Sequence, residues 1–346
     1  MPLPLIPILL GGLAIGTGAH GIKKGIDAKN DMDLAKSVNS EAQDIAKKAE
    51  KKIEDFKSST TKAIEIFGKS KIEILSGSIN QFVISFEQIK NVDFQESEGL
   101  DELKNFNPQS PEFLKLKKVS VEAKNIAVNG IGALGSGALL ALGTYKVVMG
   151  GLGGLLVTAT TGTSLGTLSG AVATKATLAW LGGGALTAGG FGMTGGIAVL
   201  GGLVAGPALA IGGSLLAKQA DKAYWDAHTN REKAKAFAEQ ANGICVTLNA
   251  IQYRAEQLEE LLRGLDKPFN ELVSHMQFVI RAYGTNWKDY SNHDKQKIYK
   301  CVQLAQMIKF VLDTALLGEN GELTSESGDS LQKGTKFLQE YNNVSM

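Results

Sequence analysis

Cysteine, histidine and proline are all scarce in this chain. Two cysteines in 346 residues build no disulfide framework and no thiolate metal site. The histidines at 20, 228, 275 and 293 never pair at three- or four-residue spacing, so no zinc motif forms. Seven prolines beside 41 glycines rule out a Gly/Pro-rich disordered composition. Charge of one sign is also missing. With 36 Lys and Arg against 35 Asp and Glu, no global field attracts nucleic acid. Stretches alternating polar and apolar residues with period two are few, so almost no sheet is expected.

Acidic residues vanish altogether from Ala127 to Ala217, where only Lys146 and Lys175 are charged. This region holds 25 of the 41 glycines, and Ala176 to Leu216 is free of any charge for 41 residues. A helix in water needs a polar face, and here only Thr, Ser and Gly are available for one. The uncharged run exceeds the roughly 20 residues of one bilayer crossing and is long enough for two.

The glycines have a spacing. Gly162, Gly166 and Gly170 recur every fourth residue, Gly202, Gly206, Ala210 and Ser214 continue a row of small residues, and Gly150/Gly154 and Gly192/Gly196 are single steps of it. Such rows put small residues on one helix face, so that two backbones approach closely in lipid. Residues 127–217 are therefore expected to be a membrane-insertion region. Lys146 and Lys175 are expected at turns or interfaces, and Tyr224 and Trp225 at an interfacial belt.

Flanking this region are two charge-rich, helix-forming stretches. Within 29–126, Ala46, Ile53, Thr60, Phe67 and Ile74 recur every seventh residue, with Ala49, Phe56 and Ala63 offset by three. Gly68 and Gly77 are weak points in that helix. Ser110-Pro111-Glu112 is a helix start. Within 218–346 the stripe is longer: Ala220, Ala227, Ala234, Ala241, Leu248, Ala255 and Leu262, with a second line from Ala223 through Asn230, Phe237 and Ile244 to Leu265. Sustained heptads argue for long paired helices. Gly264 to Pro268 is expected to end the second of them. Helices over 268–283 and 292–317 follow, the latter capped by Ser291, then a polar loop to Asp329 and a short helix near 330–341. The fold class expected is all-α: a long antiparallel bundle or coiled coil carrying a central glycine-rich apolar hairpin.

The apolar residues 1–28 lack the basic start of a secretory signal. They read either as a membrane anchor or as a strand-like plug. Phosphate binding is not expected. Gly130-Ile-Gly132-Ala-Leu-Gly135 fits a dinucleotide fingerprint only literally, since a helix rather than a strand precedes it. No catalytic residue, cofactor or metal ligand is identified, and the chain is expected not to be an enzyme.

Thr161 to Gly166 and Ala185 to Gly213, followed by the alanine-heptad helix, resemble the apolipoprotein-L family and, more loosely, α-helical pore-forming proteins. The resemblance is architectural and covers about a third of the chain. It implies a hairpin that enters membranes and changes their permeability. The expected function is thus insertion of the hairpin into a bilayer, forming pores or permeabilising it. The alternative is a membrane-anchored coiled-coil scaffold. The expected partners are lipid and either a second copy or a coiled-coil protein. The expected location is membrane-associated, on the cytoplasmic side of an inner membrane or moving from solution to membrane.

Overall fold

The computed structural model describes residues 19–92, 94, 107–128, 131, 136–144, 146–147, 220–318 and 321–345. Gly150, Gly154, Gly162, Gly166, Gly170, Gly192, Gly196, Gly202, Gly206, Ala210, Ser214 and Lys175 lie outside them, as does the N-terminal apolar run. The fold is all-α. Among the described residues the only β pairings are two isolated bridges, Lys90 with Asn286 and Leu317 with Leu323.

The elements are α1 (Ala19–Ile74), a π turn (Leu75–Ile79), α2 (Asn80–Phe86), α3 (Pro111–Val128), α4 (Ser136–Thr144), α5 (Ala220–Tyr283), a 3₁₀ turn (Trp287–Asp289), α6 (Asn292–Leu312) and α7 (Ser325–Ser345). They fall into two compact units. One comprises Met1–Ser58 with Leu203–Leu248, the other Ser59–Gly202 with Asn249–Met346.

In the first unit the cores are small: Ala35, Val38 and Ala227 in one cluster, Ala42, Ala46 and Ala234 in another. Alanine at these heptad positions lets the two helices approach closely. The Asn230 amide donates to Asn39 Oδ1 at 3.2 Å, and Lys52 Nζ to Asn242 Oδ1 at 2.8 Å, across 191 and 190 residues of sequence. A nearly constant separation means that α1 and α5 run parallel here, where the sequence reading has them antiparallel.

Only a short connection obliges neighbouring helices to run antiparallel. Everything from Leu75 to Gln219 intervenes, which is chain enough to carry α5 back to a parallel start. Asn39 and Asn230 supply a reason for the register. Asn39 stands seven residues before Ala46, Asn230 lies on the second stripe of α5, and both are half-buried. Matched polar residues on a helix seam favour the one alignment that satisfies both.

The second unit has the larger core. Phe82 packs on Phe86, Phe113 and Phe269 with ring centroids 5.3, 6.5 and 5.5 Å away. The α1–α5 pairing is again parallel, with Ser70 Oγ donating to Glu259 at 2.8 Å and Ser78 Oγ to Asp266. Glu87, just past α2, binds Lys117 of α3. Other neighbours pack antiparallel: α4 runs back along α1, with Gly68 against Leu139 and Gly143 against Ile64. His275 near the end of α5 meets Asp294 at the start of α6, and α7 returns along α6 with Lys333 over the Phe310 ring.

Gly77, a weak point of its helix, lies in the π turn that joins α1 to α2. The break expected at Gly264 to Pro268 does not occur. Helix α5 runs straight through Pro268 to Tyr283. An internal proline costs about 3 kcal/mol, yet Leu262, Leu265, Phe269, Val273 and Met276 around it are all buried. Their packing outweighs the lost hydrogen bond. Gly264 does not end the helix either. A Cβ there would meet Leu338 of α7 at 3.0 Å, so the glycine gives α7 room. The end comes at Gly284, whose φ of 80° suits a residue without a side chain.

Both expected caps are present. Ser110 Oγ accepts from the Phe113 N–H at 3.3 Å and Ser291 Oγ from the Asp294 N–H at 3.1 Å. The last helix opens at Ser325, earlier than its periodicity suggests, because Thr324 Oγ1 accepts the Ser327 N–H at 3.0 Å.

Candidate functional site: the root of the glycine-rich region

The glycine-rich region begins with α4, whose sequence Ser-Gly-Ala-Leu-Leu-Ala-Leu-Gly-Thr carries no charge. In the second unit Leu140, Ala141, Leu142, Thr144 and Val147 are buried. This first turn of the expected insertion region is therefore part of a protein core.

Two glycines set the approach. A Cβ on Gly68 of α1 would lie 2.8 Å from the Gly143 backbone nitrogen, and a Cβ on Gly143 would lie 2.7 Å from Ile64 Cγ2. Real Cβ atoms do not come so close, so the crossing admits only glycine at these two points. Read from sequence, Gly68 is a weak point in a helix; in the structure it is the seat of α4.

Past Gly143 the chain is held by the turn after α6. The Leu316 N–H donates to Thr144 O at 2.8 Å, and the Val147 N–H to Leu312 O at 3.4 Å. Lys146 Nζ forms an ion pair with Glu326 of α7 at 3.0 Å, with both side chains about half exposed. Lys146 follows α4, and its partner comes from the far end of the sequence.

The same turn covers Lys71, which no motif singles out. Its side chain is fully buried, and Nζ donates to Thr314 O at 3.3 Å and stands 4.5 Å from the centre of the Phe67 ring. Burial pushes its pKa down to about 7, against the opposing pull of Asp313. Asp313 also pairs with Lys309 at 3.2 Å. A cation here faces the carbonyl end of α6, where the helix dipole is negative. One signal in the sequence does point to it: Phe67 and Leu75, four residues away on either side, are apolar and buried.

Two other expected site residues belong to the first unit. Trp225 is 70% exposed in the first unit. Tyr224 lies in α5, and its side chain is outside the described part.

The histidines show one pairing that sequence spacing does not reveal. His275 Nε2 is 2.8 Å from Asp294 Oδ1, while Ser291 Oγ donates to Asp294 Oδ2 at 2.6 Å. The carboxylate stands between the other two groups, so the serine proton is directed to Asp294 and not to the imidazole. This is a tied helix start rather than a nucleophile with its base. Among the described residues no group of three or more His, Cys, Asp or Glu is placed to hold a metal.

Among the described residues, too, no helix is long and apolar enough to cross a membrane. No family model, curated protein or solved structure matches the chain.

Proposed function

We propose that this chain is a membrane-associated helical protein that inserts its glycine-rich region into a bilayer and permeabilises it. The second helical unit holds the root of that region. The observation that carries the reading is the clamp on α4. An uncharged helix is seated on α1 through a glycine crossing and tied at its end by two backbone hydrogen bonds, and the rest of the glycine-rich region, with Lys146 and Lys175 as its only charges, follows it in sequence. Water disfavours a run of 41 uncharged residues, and two crossings of about 20 residues each accommodate it. The resemblance to the apolipoprotein-L family supports the same reading, and the small-residue rows supply a means for the inserted helices to associate.

The test compares membrane partition with dye release from vesicles for Gly166→Leu, Gly206→Leu and Gly190→Leu. Leucine raises hydrophobicity, so partition holds or improves in all three. Release drops at the two row positions and not at Gly190, because the new side chain keeps backbones apart. Unchanged release in all three sinks the packing mechanism.

A second reading is a membrane-anchored scaffold. The parallel α1–α5 seam with its Asn39–Asn230 pair favours it, since such seams serve specific association. On that reading overexpression leaves cells polarised, whereas a permeabiliser depolarises them.

A further inference from the structure

Helix α3 buries one face and leaves an unusual one outside. Phe113, Leu116, Val119, Ser120 and Ala123 are buried. On the other side Leu114, Val121 and Val128 are 49, 45 and 76% exposed. Their seven-residue spacing keeps them within roughly 40° of one another around the helix, so they form one apolar line. Single exposed aliphatics are ordinary, but three in register on one helix are not.

A lysine flanks the line on either side, Lys118 exposed on one and Lys124 on the other. Lys117 is engaged by Glu87. Glu112 is in the first turn, and Glu122, half-buried, lies one turn past Lys118 on the same flank, so no acid stands between the two lysines on the exposed line. An apolar stripe between lysines matches a bilayer surface, where the aliphatic side chains enter the acyl boundary and the ammonium groups reach back to phosphates. α3 is also the helix that precedes α4 in the chain.

We infer that the outer face of α3, from Leu114 to Val128, docks the protein on an anionic lipid surface before insertion. The inference rests on the reading of the chain as a membrane protein and names the lipid that it meets first.

The experiment uses the full chain and sedimentation with two kinds of vesicle, phosphatidylcholine alone and phosphatidylcholine with phosphatidylserine. The parent binds the anionic vesicles more tightly, and salt weakens that binding. Lys118→Gln with Lys124→Gln weakens it about thirtyfold, from two surface lysines near an anionic membrane, and changes binding to neutral vesicles little. Leu114→Ser with Val121→Ser weakens binding to both. All four positions are exposed, and an unchanged unfolding midpoint shows that the variants fold.

Parent binding that ignores phosphatidylserine overturns the inference, as do variants that bind like the parent. So does a Leu114→Ser/Val121→Ser variant that turns a dimer into a monomer and still binds lipid, since the line is then covered by a second copy. Dye release separates this from the proposed function. Docking through α3 without release removes the insertion reading alone. Release that persists with docking unchanged in every α3 variant removes the docking inference alone.

Discussion

Gly68 and Gly143 meet where α4 crosses α1: a Cβ on Gly68 would stand 2.8 Å from the Gly143 nitrogen, and a Cβ on Gly143 would run into Ile64, one turn before Gly68. Gly68→Ala and Gly143→Ala each force the helices apart and destabilise the protein by about 1–3 kcal/mol, as overpacking does. Gly243→Ala, where a Cβ meets nothing within 4 Å, serves as the control. It stabilises α5 by up to about 1 kcal/mol through helix propensity. Denaturant unfolding measures all three, and a protease that cuts near Val147 more readily in the first two variants locates the effect at the root.

Lys71 links stability to pH. Its pKa of about 7 in the fold lies below the ordinary 10.5 of an unfolded chain. Between those values the unfolded chain binds a proton that the folded chain lacks, so stability rises with pH across the window. The gain is complete above pH 10.5, is lost as pH falls toward 7, and changes no further below. The full span is on the order of 4–5 kcal/mol. Lys71→Met removes this dependence. Its advantage over the parent is largest at pH 6 and narrows by pH 9.5. Equal pH profiles for the two proteins would show that the ammonium is solvated.

The start of α6 responds at the acid end. The Ser291 hydroxyl, and then His275, hold the Asp294 carboxyl below the usual carboxylate range. Its contribution is present above the unfolded value of 3.8 and is lost as pH falls through the lower folded one. Ser291→Ala removes both the cap and this bond, for a loss of about 1 kcal/mol at neutral pH. A thermal melt at pH 7 and pH 3 checks it, the loss being smaller at pH 3.

The small alanine clusters of the first unit make it the first to open. Amide hydrogens around Ala42, Ala46 and Ala234 exchange at lower free energy than those around Phe82, Phe113 and Phe269, where five of the largest buried side chains are phenylalanines. Native-state hydrogen exchange at increasing denaturant measures this. Uniform protection along α1 would contradict it.

The seam itself can be tested at Asn39 and Asn230. Replacing both by leucine strengthens the seam in stability and loosens its register, as removing a polar seam pair does. Spin-label distances across α1 and α5, read at positions other than 39 and 230, are narrow in the parent and broaden in the double-leucine variant.

Local signals were legible where local physics decides. The hydroxyl-bearing caps at Ser110 and Ser291 are set by one side chain and the N–H three residues on, and a sequence displays both. The buried stripe from Ala227 to Leu262 follows from spacing alone, because a helix cannot hide its periodicity. From those two features the all-α class follows. The direction of pairing does not, because an apolar stripe fits a partner running either way. The pairs Asn39–Asn230, Lys52–Asn242 and Ser70–Glu259, each between distant parts of the chain, show it to be parallel. Pro268 reads as a stop since its intrinsic cost is visible and the packing that overrides it is not. Gly68 reads as a weakness because the helix it receives lies some seventy residues away in sequence. Lys71 looks like one more solvated charge until α6 and its turn close over it. The sequence by itself determined which faces are buried and where helices begin. The tertiary structure decided which helices meet, in which direction, and which charge is shut inside, since those depend on distant residues arriving at the same place.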